Sequence, residues 1–480
     1  MGKKDLLKKT CFVLTIILFY YIVDTKNIFV FILSASLYNI FSSCLKNISF
    51  RENFEKATNI YQKYKFFKIG GLIIMAICLL FSLLSVFVSD ISSSILKLNN
   101  TFLPFLFMGL SLISNPLINL ITDYLETTRR VKTGLNLYNI NYYMELILFL
   151  AFSLFSFKIL KVPSEKSLAL LYLPKIISLI ITLFLFSLII QKDKLYSKIT
   201  KHNKLNNNIK LGIMKALTHN SKDTIINIIK QSYCYISIIV LYFILHNKYY
   251  YSTDIIEKDL TFLYFYFLIF INYLIDIFER FIDNNKFKTI TNNIFYTIKI
   301  LLPIIVMISI VSPLITKIIF NNSSKSSYLA MASIQSIFIV LYDITSKNIN
   351  NQKKLNFSLI LGIAIKLIIM IPVIDSFYRM GYNLILGDIL STIIGMLCSI
   401  IINYIYANNK SPKTEKYLDK ILDIFYENIV LTIILIVLEF IVPVKTNSYF
   451  KSILILILYL FVGFGFISIK NHYEKEKRGN

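Results

Sequence analysis

"LILGIAIKLIIMIPVI" (residues 359–374) is an apolar run with one charge, Lys366, in its middle. Ile365 and Leu367 flank it, and Ile363 and Ile369 lie about one helical turn away. An apolar run of this kind reads as a helix crossing a bilayer, which takes about 20 residues. Comparable runs recur along the whole 480-residue chain. Hydrophobic residues make up 56% of it, against roughly 45–50% in soluble domains, and the mean hydropathy is +0.64. The expected fold class is therefore an all-α polytopic membrane protein.

Fourteen spans are expected, at 8–23, 28–45, 69–89, 102–122, 138–159, 167–190, 224–246, 259–279, 294–316, 327–345, 356–374, 383–406, 427–443 and 449–468. The first two are separated only by Asp24–Asn27, so a re-entrant hairpin is the alternative there. Residues 8–23 have a basic front but no small-residue cleavage site after them, so they read as a first span. With the N-terminus in the cytoplasm, 35 of the 51 Lys and Arg fall in inner segments and 11 in outer loops. That asymmetry predicts a cell-membrane protein with both termini cytoplasmic. The net charge of +24 is accounted for by these inner loops and by a Lys-, Asn- and Ile-rich composition, and no nucleic-acid partner is expected.

The longest polar stretch, "QKDKLYSKITKHNKLNNNIK" (191–210), divides the chain. The expected organisation is an N-lobe (1–190), a basic cytoplasmic linker (191–223), a C-lobe (224–406) and a C-terminal helix pair with its tail (407–480). "DYLETTRRVKTGLNL" from Asp123 and "DITSKNINNQKKLNF" from Asp343 support a duplication of six helices. Each leads from a span into a basic loop, and their Asp and Leu-Asn positions share an offset of 220 residues. Transporters often contain such repeats.

Several chemistries lack their residues. There is no GxxxxGK[ST] phosphate loop and no HExxH. The four histidines are scattered, and the five cysteines form no CxxC pair. No cofactor, metal or catalytic residue is expected. The outer loops are short, which argues against a membrane glycosyltransferase or polymerase.

The candidate site residues are charges within spans. Lys366 lies about 14 Å from either end of its span, too deep for complete snorkelling. A charge at that depth costs at least about 2.5–3.5 kcal/mol, so it is expected to face protein or a water-filled cavity. The bland alternative is a lysine tolerated on a tilted helix. Glu145, in the fifth span, sits at a depth similar to that of Lys366 if the duplication holds. Lys175 follows Pro174 in the sixth span, where loosened backbone carbonyls are one way to satisfy it. Lys230 and Lys299 lie near the inner face, and Asp276, Glu279 and Arg280 form a group there. Asn115-Pro116, Pro303, Pro313 and Pro372 mark expected kinks.

Three segments carry a resemblance: "DYLETTRRVKTGLNLYNINYYMEL" (123–146), "PLITKIIF" (313–320) and "NINNQKKLNFSLILGIAIKLIIMIPVI" (348–374). They are similar to motifs of the MOP exporter superfamily, in particular its polysaccharide-biosynthesis branch, which includes lipid II flippases and stage V sporulation protein B. Glu145 stands at the acidic position of the first motif and Lys366 at the lysine of the third. The first span departs from that family in having no glycine. The resemblance implies two six-helix lobes around a cavity, and transport of a polyprenyl-linked saccharide without ATP hydrolysis. Lys366, Glu145 and Lys175 would line the cavity. The implied partners are the lipid-linked substrate, the bilayer and cell-envelope glycosyltransferases. The rivals are a multidrug exporter of the same superfamily, which would favour acidic cavity residues, the glycosyltransferase or polymerase, and a membrane scaffold without a cavity.

Overall fold

The computed structural model describes residues 3–23, 28–46, 50–57, 60–96, 101–161, 164–192, 236–250, 253–263, 290–321, 323–347, 349, 351–407, 415–444 and 448–479. Most of the expected linker, Lys230, Asp276, Glu279, Arg280, the first half of the seventh span and most of the eighth lie outside them.

The described residues form helices and turns only. In chain order they are α1 (Lys3–Ile22), α2 (Phe29–Lys46), α3 (Arg51–Lys56), α4 (Ile60–Leu96), α5 (Phe102–Ser111), α6 (Ser114–Thr127) and α7 (Val131–Ser153). Then come α8 (Ser164–Leu170), α9 (Leu173–Lys192), α10 (Ile236–Asn247), α11 (Thr253–Leu260), α12 (Ile290–Phe320) and α13 (Ser326–Lys347). The last four are α14 (Gln352–Arg379), α15 (Ile385–Ala407), α16 (Glu415–Ile441) and α17 (Tyr449–Gly479). A π-helical turn, Leu154–Ile159, extends α7. Among the described residues nine helical segments are long and apolar enough to cross a bilayer, and three apolar helices are shorter. The chain is an all-α, multi-pass membrane protein.

The chain divides into two compact units, Met1–Lys258 and Asp259–Asn480. By this division α10 falls in the first unit. One contact that ties it there is the stack of Tyr242 on Phe29 of α2, with ring centroids 5.3 Å apart.

In the first unit, α4 shows how these helices pack. Leu79, Leu80, Leu83 and Phe87 are exposed, whereas Ser82, Ser85, Ser89 and Ser92 are buried. Apolar side chains face outward to lipid, and small polar ones face protein, where helices can approach closely. Ser85 donates to the Phe105 carbonyl at 2.9 Å, and Ser89 shares a hydrogen bond with Thr101 at 2.8 Å. A Cβ at Gly109 of α5 would lie 2.6 Å from Ser82 Cα, so the approach requires glycine. At one end of the unit, Arg51 pairs with Glu55 (3.1 Å) and Glu126 (3.4 Å), which hold its guanidinium above its ordinary pKa. Lys63 donates to the Thr127 carbonyl at 2.7 Å, capping the negative end of α6.

In the second unit, Met307, Val311 and Leu314 of α12 pack with Leu431 and Leu435 of α16, Val444, and Tyr459 of α17. The C-terminal helix pair is thereby bound to the ninth span. α12 and α14 run without interruption through Pro303, Pro313 and Pro372. At one end of this unit, Asp259 pairs with Lys325 and accepts a hydrogen bond from the Tyr328 hydroxyl at 3.0 Å. Asn383 in turn donates to that hydroxyl. All the residues of the first cluster were expected on one side of the membrane, and all those of the second on the other, so the alternation of the crossings is coherent within each unit.

Candidate functional site

Two expected spans of the first unit are interrupted, the fourth in mid-course and the sixth near its outer end. α5 stops at Ser111, and α6 starts at Ser114, just before Asn115-Pro116. α8 stops at Leu170, and α9 starts at Leu173, just before Pro174-Lys175. Proline suits a first helical turn, where its missing N–H would have had no partner. At Asn115-Pro116 the helical hydrogen-bond ladder lapses, as at a kink, while Leu112 and Ile113 keep right-handed helical dihedrals. The first turn of each new helix carries backbone N–H groups without intrahelical partners and the positive end of the dipole.

Tyr38 of α2 links the two breaks. Its hydroxyl accepts a hydrogen bond from Asn115 Nδ2 at 3.1 Å. Its ring lies beneath the Lys175 ammonium, 3.7 Å from the centroid, a cation–π contact. Glu145 of α7 completes the group, with Oε1 3.9 Å from Lys175 Nζ. That separation exceeds a hydrogen bond, so the attraction is purely coulombic. Side-chain exposures of 23% for Lys175 and 24% for Glu145 leave both partly open. The surroundings are firmer. Tyr172, in the second break, shares a 2.6 Å hydrogen bond with Ser34, and Thr182 donates to Asn141 at 3.2 Å. Ser114 Oγ, in the first turn of α6, is buried with no hydrogen-bond partner. A cation, an amide donor and two helix N-termini therefore gather around one tyrosine, a chemistry suited to a phosphate or carboxylate.

Lys366 lies in the second unit and is built differently. Its ammonium is 2.8 Å from Asp388 Oδ1 of α15, with side-chain exposures of 2% and 4%. A Cβ at Gly395 would sit 3.1 Å from Lys366 Cβ, so the lysine starts level with Gly395. Asp388 is seven residues nearer the 380–384 turn, about 10 Å along the helix. The side chain therefore runs along the α14–α15 seam and stops at an acid. Lys366 was expected to face protein or a water-filled cavity, and here a carboxylate supplies its counter-charge within protein. The seam around it is close and polar. A Cβ at Gly395 would lie 2.6 Å from the Gly362 carbonyl oxygen. Ser399 donates to the Ser358 carbonyl at 2.9 Å, and Ser358 donates to Asn403 at 2.5 Å.

Of the three residues picked from sequence, the structure brings Glu145 and Lys175 together, and Lys366 belongs to the other unit. Sequence reasoning missed Tyr38, Asn115 and Asp388 as partners. Asp388 had a signal, being an acidic residue in an otherwise apolar helix one short turn after Lys366. Tyr38 had none, as one tyrosine among 32. Among the described residues no three His, Cys, Asp or Glu side chains gather as a metal site would require.

No protein-family profile matches the chain, and no curated protein matches it. Among solved structures, it is similar to "Lipid II flippase MurJ, inward closed conformation", with a TM-score of 0.65 and 15% sequence identity. The match covers 97% of this chain and 97% of that one. At this identity the likeness carries the fold alone: the chain has a fold similar to that of a polytopic lipid flippase.

Proposed function

We propose that this protein is a flippase that moves a polyprenyl-linked saccharide precursor across the cell membrane by alternating access. The observation that carries this reading is the partly open Lys175, set beside Glu145, Tyr38 and Asn115 where two spans are interrupted. The MurJ-like fold supports it. A phosphate-bearing head group is too costly to pass through hydrocarbon unaided. Lys175 and the two helix N-termini would take its charge while the lipid tail stays in the bilayer. The motif likeness to the polysaccharide-biosynthesis branch supports a saccharide cargo, with envelope glycosyltransferases as the source and users of the lipid-linked sugar. Lys366 contributes to its own lobe, as the closed member of a Lys–Asp pair.

The lobes are read as duplicated. α6 and α13 end at Thr127 and Lys347, and the next crossings end at Ile159 and Arg379. Both differences equal the 220-residue offset of the sequence motifs. Both termini are read as cytoplasmic from the loop charges. Tyr250, 87% exposed, then belongs outside. Tyr250→Cys, with native cysteines replaced, should react with an impermeant thiol reagent on intact cells. Labelling only after permeabilisation would reverse the orientation.

The function is tested with a fluorescent polyprenyl-pyrophosphate saccharide in vesicles containing the purified protein. Protein-dependent movement between leaflets is expected, with a loss of about tenfold or more in Lys175→Gln, the scale of one charged contact to a phosphate. No movement above protein-free vesicles would overturn the reading.

A further inference from the structure

We infer that Glu145 is an internal competitor for the anion that Lys175 binds: it holds the ammonium when the site is empty and yields it when a phosphate arrives. This rests on the reading of Lys175 as a head-group site. At 3.9 Å, Glu145 neutralises Lys175 without forming a hydrogen bond to it. The closed pair in the other unit, at 2.8 Å, shows what a committed lysine–carboxylate contact looks like in this protein. Tyr38 holds the Lys175 ammonium against its ring, 3.7 Å from the centroid, and also hydrogen-bonds to it. With three N–H donors, the ammonium retains donors for a further partner. Both charged side chains are about a quarter exposed, unlike the enclosed pair of the other unit.

A site of this kind suits transport better than storage. Two helix N-termini and a bare lysine would bind a pyrophosphate tightly and release it slowly. A carboxylate fixed nearby opposes the bound phosphates and recaptures the lysine as they leave. It weakens ground-state binding and thereby speeds turnover. Glu145 is in this sense a positioning and release residue, and the ligand class is a phosphate or pyrophosphate, either free or as the head of a lipid.

The test uses the full chain in nanodiscs of neutral lipid, with inorganic pyrophosphate and farnesyl pyrophosphate titrated separately by calorimetry. Glu145→Gln is expected to tighten binding about tenfold, an ordinary coupling between two ligands of one site, and to slow dissociation. Glu145→Asp, which withdraws the charge by one methylene, should fall between. Lys175→Gln should abolish binding. Tightening in the farnesyl arm alone assigns the site to a lipid head, and in the inorganic arm alone to a free anion; either supports the competition. Unchanged or weaker binding in Glu145→Gln, or no binding of either probe by the wild-type protein, overturns it. If the Gln variant does not fold, Glu145→Asp decides alone, tightening being expected. Flipping assays separate the two readings. In wild type that binds pyrophosphate but moves no lipid, the flippase reading fails while the competition stands.

Discussion

Each unit carries, among its described residues, a lysine–carboxylate pair joining two successive membrane-crossing helices, Glu145–Lys175 in the first and Lys366–Asp388 in the second, and these two pairs are opposites. In the first unit the acid, Glu145, precedes the lysine in sequence; in the second the lysine, Lys366, precedes the acid, Asp388. The first pair is 3.9 Å apart and about a quarter exposed, beside two helix breaks. The second is 2.8 Å apart and enclosed, on a seam where two glycines let the backbones touch. The difference teaches that the depth of a charge in a membrane span does not by itself mark a binding site. An enclosed charge 2.8 Å from a carboxylate has its counter-charge at hand. A partly open one with a loose partner retains the capacity to bind.

The largest effect that would sharpen this contrast is on stability. Lys366→Ala should cost about 3–5 kcal/mol, because it strands the Asp388 carboxylate in the protein interior. Thermal unfolding in detergent would show it, and abundance in the membrane should fall. The double variant Lys366→Met with Asp388→Leu should recover most of that loss, since replacing a buried ion pair by packed apolar groups is often neutral. If Lys366→Ala unfolds like wild type, the pair is not closed. The next effect is steric. Gly395→Ala would drive a methyl group to 2.6 Å from the Gly362 carbonyl oxygen and should cost about 1–3 kcal/mol. An unchanged unfolding temperature would mean the seam is looser than described. The smallest effect belongs to the open pair. Lys175→Gln should alter stability by less than about 1 kcal/mol, as expected of a loose, partly solvated pair. A loss as large as that of Lys366→Ala would erase the distinction.

Much of this was legible in the sequence. Apolar runs and loop charges gave the helices and their alternation, because both follow from the cost of exposing polar groups to hydrocarbon. The 220-residue offset reappears in two helix ends. Glu145, Lys175 and Lys366 were visible as charges where charges are expensive. Their pairing was not. Whether Lys366 meets a cavity or an acid depends on which way one long side chain runs along a seam, and Asp388 lies two helical turns from the level of its Cα. Nor was the role of Tyr38, which depends on the meeting of two breaks from spans four and six. Pro116 and Pro174 hinted at those breaks, yet Pro303, Pro313 and Pro372 lie within continuous helix. The difference lies in position, since proline breaks nothing by itself when neighbouring helices hold the turn in place.

The most direct test of the account is a paired flipping measurement with a fluorescent polyprenyl-pyrophosphate saccharide, at matched protein levels in vesicles. One sample carries Lys175→Gln, and the other the double variant Lys366→Met with Asp388→Leu. The account predicts that the first folds normally and loses transport by about tenfold or more, while the second keeps transport within about threefold of wild type, as expected where no ligand contact is lost. Retained transport in Lys175→Gln together with its loss in a well-folded double variant would contradict the account and return the binding role to Lys366.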